Sequence, residues 1–429
     1  MRKKSINIIT LGCSKNLVDS EKILGQLDRN RFDLFHDADT LTDIVIINTC
    51  GFINDAKQES IDTILQFLEA KKQGDIEKVI VTGCLSQRYR DELSEEIPDA
   101  DACFGTDEND ELFKLLKQDF NKEIISRTIT TPAHYAYLKI SEGCDRFCAF
   151  CAIPLIRGAY KSTPIELLVE EAKMLADKGV KELLLIAQDL NFYGFDLNGK
   201  LQLGNLINEL SKIDGIEWIR LHYAYPHKFP EDVIDIIANN PKLCHYLDIP
   251  LQHINDSILN SMKRGHNNED TVNLINKLRQ KVPDIAIRTT MLVGYPGETD
   301  EMFEELLEFV KDQKFERLGV FTYSPEEGTK AFSLKDNVPE KTKNLRAEKL
   351  MKVQQEISLN NNLSKIGKSF KVIIDREEDD CFVGRTEFDS PEIDNEVLIK
   401  KDSLLKAGEF FNIRITDAAE FELFGELNN

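Results

Sequence analysis

Six cysteines carry most of the chemistry that this sequence can do. Three stand together at Cys144, Cys148 and Cys151, spaced C-x3-C-x2-C. Three thiolates so close in the chain can wrap one metal centre, and they leave one position on it without a protein ligand. Structural zinc takes four closed ligands, so a zinc reading needs a distant fourth ligand. An iron–sulfur cluster tolerates one iron held by something else, and the spacing points there.

The other three, Cys13, Cys50 and Cys84, are far apart but occupy equivalent places. Each follows an apolar run, at 6–11, 44–47 and 79–81, and each precedes a helical pattern. Continuous apolar runs mark strands buried on both faces of a parallel sheet. Strand–helix alternation implies right-handed crossovers, with all strand ends at one edge. A lone cysteine at a strand end is ordinarily a small buried hydrophobe. Three in equivalent places point to a second cluster, again with one open iron. Cys103, Cys244 and Cys381 lack such partners and read as core or free thiols.

The elements that must position the local run lie between 134 and 330. Strands are expected at 136–141, 181–187, 218–223, 246–249, 286–293 and 318–323, separated by helices near 164–178, 202–212, 230–239, 269–280 and 300–312. Thr163 as N-cap, Pro164 at the first helical position and Glu166 closing a capping box start the first of these helices. Gly179 stops it. Six such units suggest an incomplete parallel barrel with its chemistry at the C-terminal strand ends, just where the cysteine run falls. The same rim carries Gln188 and Asp189, His222 and Tyr223, and Gln252 and His253. Arg288 lies within the fifth strand and the turn Gly294-Tyr295-Pro296-Gly297-Glu298 beyond it. A guanidinium fork there suits a carboxylate ligand or an ion pair inside the barrel. The turn either meets a ligand or is a tight connection with Thr299 capping the next helix. His222 and His253 read as barrel-filling residues.

A helix at 340–362, with Leu350, Val353 and Ile357 on one face, connects this barrel to a segment of different character. Short strands at 370–374, 381–386, 396–399 and 410–415 suggest a small barrel or sandwich. From 364 to 429 there are 9 Lys and Arg against 16 Asp and Glu, a net of −7, including the run Glu377-Glu378-Asp379-Asp380. Such a run is ordinarily a solvated face, yet it repels phosphate backbones and suits a basic protein.

Composition sets the outer bounds. At 429 residues the chain has room for about three domains, and 41% hydrophobic residues is ordinary for globular protein. No apolar run approaches the ~18 residues of a membrane span. The start, Met1-Arg2-Lys3-Lys4-Ser5, is basic, but the strand-like run after it is too short for a signal peptide core. Nine cysteines do not form a secreted disulfide pattern, which points to a reducing cytoplasm. A net charge of −21 argues against a protein that only grips nucleic acid.

The run 144–151 resembles the signature of the radical S-adenosylmethionine (SAM) superfamily, in which three cysteines hold a 4Fe–4S cluster and SAM chelates its open iron. Phe150 matches that signature as a surface against adenine, and the 294–298 turn resembles the adenine-contacting segment after strand five. The order of modules is similar to the methylthiotransferase family, whose last module is called TRAM. The matching motifs are Thr10-Leu11-Gly12-Cys13, Asn48-Thr49-Cys50-Gly51-Phe52-Ile53, Thr82-Gly83-Cys84 and Ile140-Ser141-Glu142-Gly143-Cys144.

The resemblance implies an α/β protein of three parts. These are a parallel-sheet α/β domain at 1–122, a partial (β/α)6 radical SAM barrel with its connecting helix at 130–362, and a small all-β TRAM barrel at 363–429. It further implies two 4Fe–4S clusters, an auxiliary one on Cys13, Cys50 and Cys84 and a SAM-cleaving one on Cys144, Cys148 and Cys151. SAM itself would meet Phe150, Gln188, Arg288, Gly294 and Gly297, and no catalytic residue is expected beyond the cluster ligands. One branch of the family modifies an adenosine of transfer RNA; the other places a methylthio group on the β-carbon of an aspartate of small-subunit ribosomal protein S-twelve. The stretch from Cys50 to Ile61 resembles the ribosomal-protein branch. A cytoplasmic enzyme is implied, fed by an electron donor, with its basic substrate bound by the acidic terminal barrel and no membrane involved.

Overall fold

The computed structural model describes residues 3–121 and 125–428. Met1, Arg2, the expected first boundary at 122 and the final Asn429 lie outside the described residues. A five-stranded sheet opens the chain, with β1 (Lys4–Thr10), β2 (Phe32–His36), β3 (Ile44–Thr49), β4 (Lys78–Gly83) and β5 (Ala102–Cys103). Their order is β2-β1-β3-β4-β5, all parallel. Every residue of β3 is buried, as the unbroken apolar run predicts for a central strand covered by helices on both faces. Edge strands β2 and β5 were not expected. Phe32–His36 is short and broken by Asp33, and Ala102–Cys103 is only two residues long.

The middle sheet has six parallel strands in simple chain order. These are β6 (Tyr135–Lys139), β7 (Glu182–Ile186), β8 (Trp218–Leu221), β9 (Leu243–Asp248), β10 (Ala286–Val293) and β11 (Arg317–Thr322). It stays open, as an incomplete barrel must. Ala136 and Leu138 of β6 join the helix-side core with Leu183, Leu185 and Leu206. Tyr135 and Tyr137 alternate to the concave side, with Leu184 and Ile186. The capping box expected at Thr163 does not form. The helix runs Ile165–Asp177 with Pro164 as its N-cap and no side-chain cap bond. Thr163 is instead held as extended chain, its N–H on the Ile140 carbonyl at 2.9 Å and its carbonyl on the Tyr193 hydroxyl at 2.7 Å.

Helix Glu340–Leu363 lies along β11, with Leu350 buried in the core and Val353 and Ile357 beside it. The last segment is a closed barrel of β12 (Ser369–Glu377), β13 (Cys381–Thr386), β14 (Glu396–Lys400), β15 (Phe410–Ala418) and β16 (Glu422–Leu427), ordered β12-β13-β14-β16-β15. The fifth strand, missed in the sequence, closes the ring by pairing parallel with β14 and antiparallel with β15. That decides barrel over sandwich.

This small barrel sits against the N-terminal ends of the middle strands. Arg385 bridges Glu182 (2.8 Å) and Asp375 (2.7 Å), Arg317 meets Asp389 (3.0 Å), and Asp394 accepts from Tyr246 (2.7 Å). Trp218 packs edge-on against Phe410 at 4.7 Å. The lower mouth of the large barrel is therefore stoppered by the loop after β13. Among the described residues, no helix is long and apolar enough to cross a membrane.

Candidate functional site

Cys13, Cys50 and Cys84 meet at the C-terminal edge of the first sheet. Cys13 caps helix Ser14–Gln26, Cys50 follows β3, and Cys84 opens helix Cys84–Arg88. Gly12, at φ +92°, lets the first of these turns close. A Cβ there would stand 2.7 Å from Cys50 Cβ and 2.8 Å from its Sγ. Burial pushes the Cys50 thiol up to about 11 against the pull of the Phe52 N–H, and Cys13 and Cys84 add to the rise. Burial raises Cys84 too, outweighing the attraction of Arg157. Cys50 and Cys84 thus each feel the neighbouring thiols of their set.

The second set is built from one loop. Its backbone is pinned by Cys144 N–H on Gly158 O (3.2 Å), Ala149 N–H on Met262 O (2.9 Å) and Ala331 N–H on Ala149 O (2.7 Å). Phe147, between the first two cysteines, is left-handed at φ 48°. Burial pushes Cys144 and Cys151 up to about 12. Arg264 donates to Cys148 Sγ at 3.4 Å, and the Tyr225 hydroxyl lies 3.5 Å from the same sulfur. All six thiols are free of disulfides. Among the described residues, no three His, Cys, Asp or Glu side chains close on a single ion. Triads of free thiols backed by cations such as Arg157 and Arg264 suit an iron–sulfur cluster carrying negative charge.

Residues just after Cys151 join the two sets. Cys84 packs against Ala152 and Ile156 in one apolar contact. Arg157 donates to Cys84 Sγ at 3.3 Å and to Asn16 Oδ1, and it pairs with Asp19 at 2.7 Å. Burial would raise Asp19, but Lys139 and Arg157 outweigh it and hold its carboxyl down at about 2. A cleft of about 310 Å³ opens beside this seam, lined by Asp19, Lys22, Glu142, Arg157 and Glu171.

The residues expected to meet SAM divide. Phe150 packs in an apolar patch with Tyr295, the residue after Gly294. Glu298 accepts from the N–H groups of Gly294 (2.6 Å) and Tyr295 (3.2 Å) and is itself held by Arg346 at 2.9 Å. The turn is therefore fixed from beneath, and Thr299 caps the next helix through the Met302 N–H. Gln188 donates to Glu142 at 3.2 Å, and its Oε1 is buried without a partner, which suits a bound donor. Arg288 stands apart from these. Its guanidinium lies between Asp248 (3.2 Å) and Asp394 (3.4 Å), as an ion pair inside the barrel. His222 bonds Ser390 at 3.0 Å, and His253 is fully buried. Lys15, Arg157, Tyr225 and Arg264 were missed in the sequence, where no motif spacing marks them.

The Radical SAM superfamily model matches residues 138–310, the TRAM domain model 366–427 and the model described as uncharacterized protein family UPF0004 residues 5–105. Fold and matches together place an iron–sulfur, SAM-dependent enzyme of the radical SAM class here. A ribosomal protein uS12 methylthiotransferase RimO of Christiangramia forsetii is 55% identical over 428 residues, 99% of this chain and 95% of that protein. Another from Phocaeicola vulgatus is 51% identical over 431 residues, 100% of both. The chain belongs to the ribosomal protein uS12 methylthiotransferase family. Among solved structures, the radical SAM methyltransferase TsrM of Kitasatospora setae shares the fold at a TM-score of 0.55 and 14% identity, covering 76% of this chain and 77% of that one. The cobalamin-dependent SAM radical enzyme OxsB does so at 0.52 and 12%, covering 83% and 56%.

Proposed function

We propose that this enzyme replaces a hydrogen on the β-carbon of an aspartate of ribosomal protein uS12 with a methylthio group. The observation that carries the reading is the placement of two free thiol triads on one seam, joined through Cys84, Ala152 and Arg157. Cys144, Cys148 and Cys151 would hold the SAM-cleaving 4Fe–4S cluster, and Cys13, Cys50 and Cys84 the auxiliary one. The chemistry supplied by these groups when bound is one-electron cleavage, hydrogen abstraction from unactivated carbon, and delivery of sulfur and a methyl group.

The chain's own part is binding and orientation. Arg264 and Tyr225 stabilise the Cys148 sulfur. Phe150 and the turn at Gly294 and Gly297 form an adenine-facing surface, and Gln188 Oε1 accepts from the bound ligand. Arg288 belongs to the lower stopper and is not assigned to SAM. The domain limits 1–122, 130–362 and 363–429 go with this division of labour.

The basic substrate would dock on the exposed acids at 377–380, an electron donor would reduce the first cluster, and the setting would be the cytoplasm. With a net charge of −21, modification of an adenosine in transfer RNA is the weaker reading. The test is incubation of the iron-reconstituted enzyme with SAM, a reductant and either uS12 or transfer RNA, followed by mass spectrometry. A methylthio gain on one uS12 aspartate is expected. Methylthio-adenosine in the RNA, with unchanged uS12, would overturn the reading.

A further inference from the structure

Lys15 follows Cys13 by two residues and is 8% exposed. Its ammonium lies 3.2 Å from the centre of the Tyr223 ring. Among the described residues it meets no carboxylate and no hydrogen-bond acceptor. The ring face is a weaker partner for an ammonium than a carboxylate is. Lys139, Arg157, Arg220, Arg317 and Arg385, also well buried, each meet a carboxylate.

Its place is as telling as its missing partner. On one side, Asn16 lies 3.4 Å from Cys84 Sγ through its Oδ1. On the other, Tyr223 is two residues from Tyr225, whose hydroxyl reaches Cys148 Sγ at 3.5 Å. The Lys15–Tyr223 contact therefore joins a chain neighbour of one thiol set to a chain neighbour of the other. Tyr223 is held for it in a left-handed conformation, φ 65°, with its N–H on Asp248 at 3.2 Å.

A target aspartate whose β-carbon sits between the triads brings its carboxylate along, one bond away. That carboxylate must leave water and would be costly there unpaired. We infer that Lys15 receives the carboxylate of the side chain being modified and selects an acidic residue over its amide. The inference rests on the proposed function, since it takes the target to be an aspartate.

The experiment uses the full, cluster-loaded protein with SAM and no reductant, so that binding is read without turnover. Fluorescence anisotropy compares labelled uS12 peptides carrying Asp or Asn at the target position. Wild type is expected to prefer Asp by about tenfold or more, as a charge-assisted bond implies. Lys15→Met should bring the two peptides to within about twofold by weakening the Asp peptide alone, and Lys15→Arg should restore part of the preference. SAM affinity, titrated separately, should stay unchanged and report an intact fold. A Lys15→Met variant that still prefers Asp, or that loses SAM affinity while keeping the preference, overturns the inference. Equal binding of both peptides by wild type overturns it as well. A wild-type protein that neither binds nor modifies uS12 sinks the functional reading itself, a result distinguishable from the others.

Discussion

The two ends of the large barrel are built on opposite principles. At the lower end, buried charge is matched to charge: Arg385 with Glu182 and Asp375, Arg220 with Glu182, Arg317 with Asp389, Arg288 with Asp248 and Asp394. At the upper end the matching is unfinished. The six free thiols, the Gln188 Oε1 without a partner and the Lys15 ammonium, which meets a ring but no carboxylate, all lie there. Desolvated polar groups are expensive unless something completes them. Charge pairing at the lower end contributes stability, and the upper end carries the groups that bind.

Substitutions at the two ends should separate these roles. The largest effect belongs to the upper end. Cys148→Ala should abolish SAM cleavage and lower iron per chain by about half, because a cluster iron loses its ligand; iron assay and product chromatography read both. At the lower end, Arg385→Met leaves Glu182 with Arg220 alone and Asp375 with His134 alone. It should cost about 3–5 kcal/mol by chemical denaturation, while SAM binding at room temperature persists.

A pH effect comes next. Burial, then the neighbouring Arg220, Arg288, Lys15 and Arg385, hold His222 neutral, its pKa well below the usual 6.5. The unfolded chain takes up that proton first. Stability therefore falls as pH drops below about 6.5, by at most about 1.4 kcal/mol per pH unit for this group. His222→Gln should flatten that slope in denaturation curves taken between pH 7 and 5. The smallest effect is again at the top: Lys15→Met should change stability by less than about 1 kcal/mol, or raise it slightly, since it removes an unpaired buried cation. A large destabilisation would mean that Lys15 belongs with the charge-paired end.

What the sequence made legible follows the range of the interactions. The middle strands fall close to their expected places, β10 at the same 286–293, because each is a local apolar run. The cysteine run is a short motif, and the distant cysteines were readable because strand ends of a parallel sheet share an edge. The failures are non-local or marginal. Thr163 was misread as a cap because the Ile140 carbonyl and the Tyr193 hydroxyl claim its backbone. β16 was missed because Glu422–Leu427 interleaves acids with apolar residues and gains its identity only from β14 and β15. The run 377–380 is exposed, whereas Asp375, Asp389 and Asp394, which no pattern singles out, turn inward to Arg385, Arg317 and Arg288. Lys15 carries no pattern at all; only its surroundings distinguish it.

The stopper after β13 also bears on how the molecule is made. During synthesis Arg220 and Arg288 emerge after Glu182 and Asp248, whereas Arg317 emerges well before its own partner, Asp389, and Arg288 before its second, Asp394. A nascent chain halted at the long helix would carry both thiol sets above an uncorked lower mouth, with Arg317 lacking its carboxylate. Docking of the small barrel would then be the step that both closes the lower mouth and supplies Arg317 with its carboxylate.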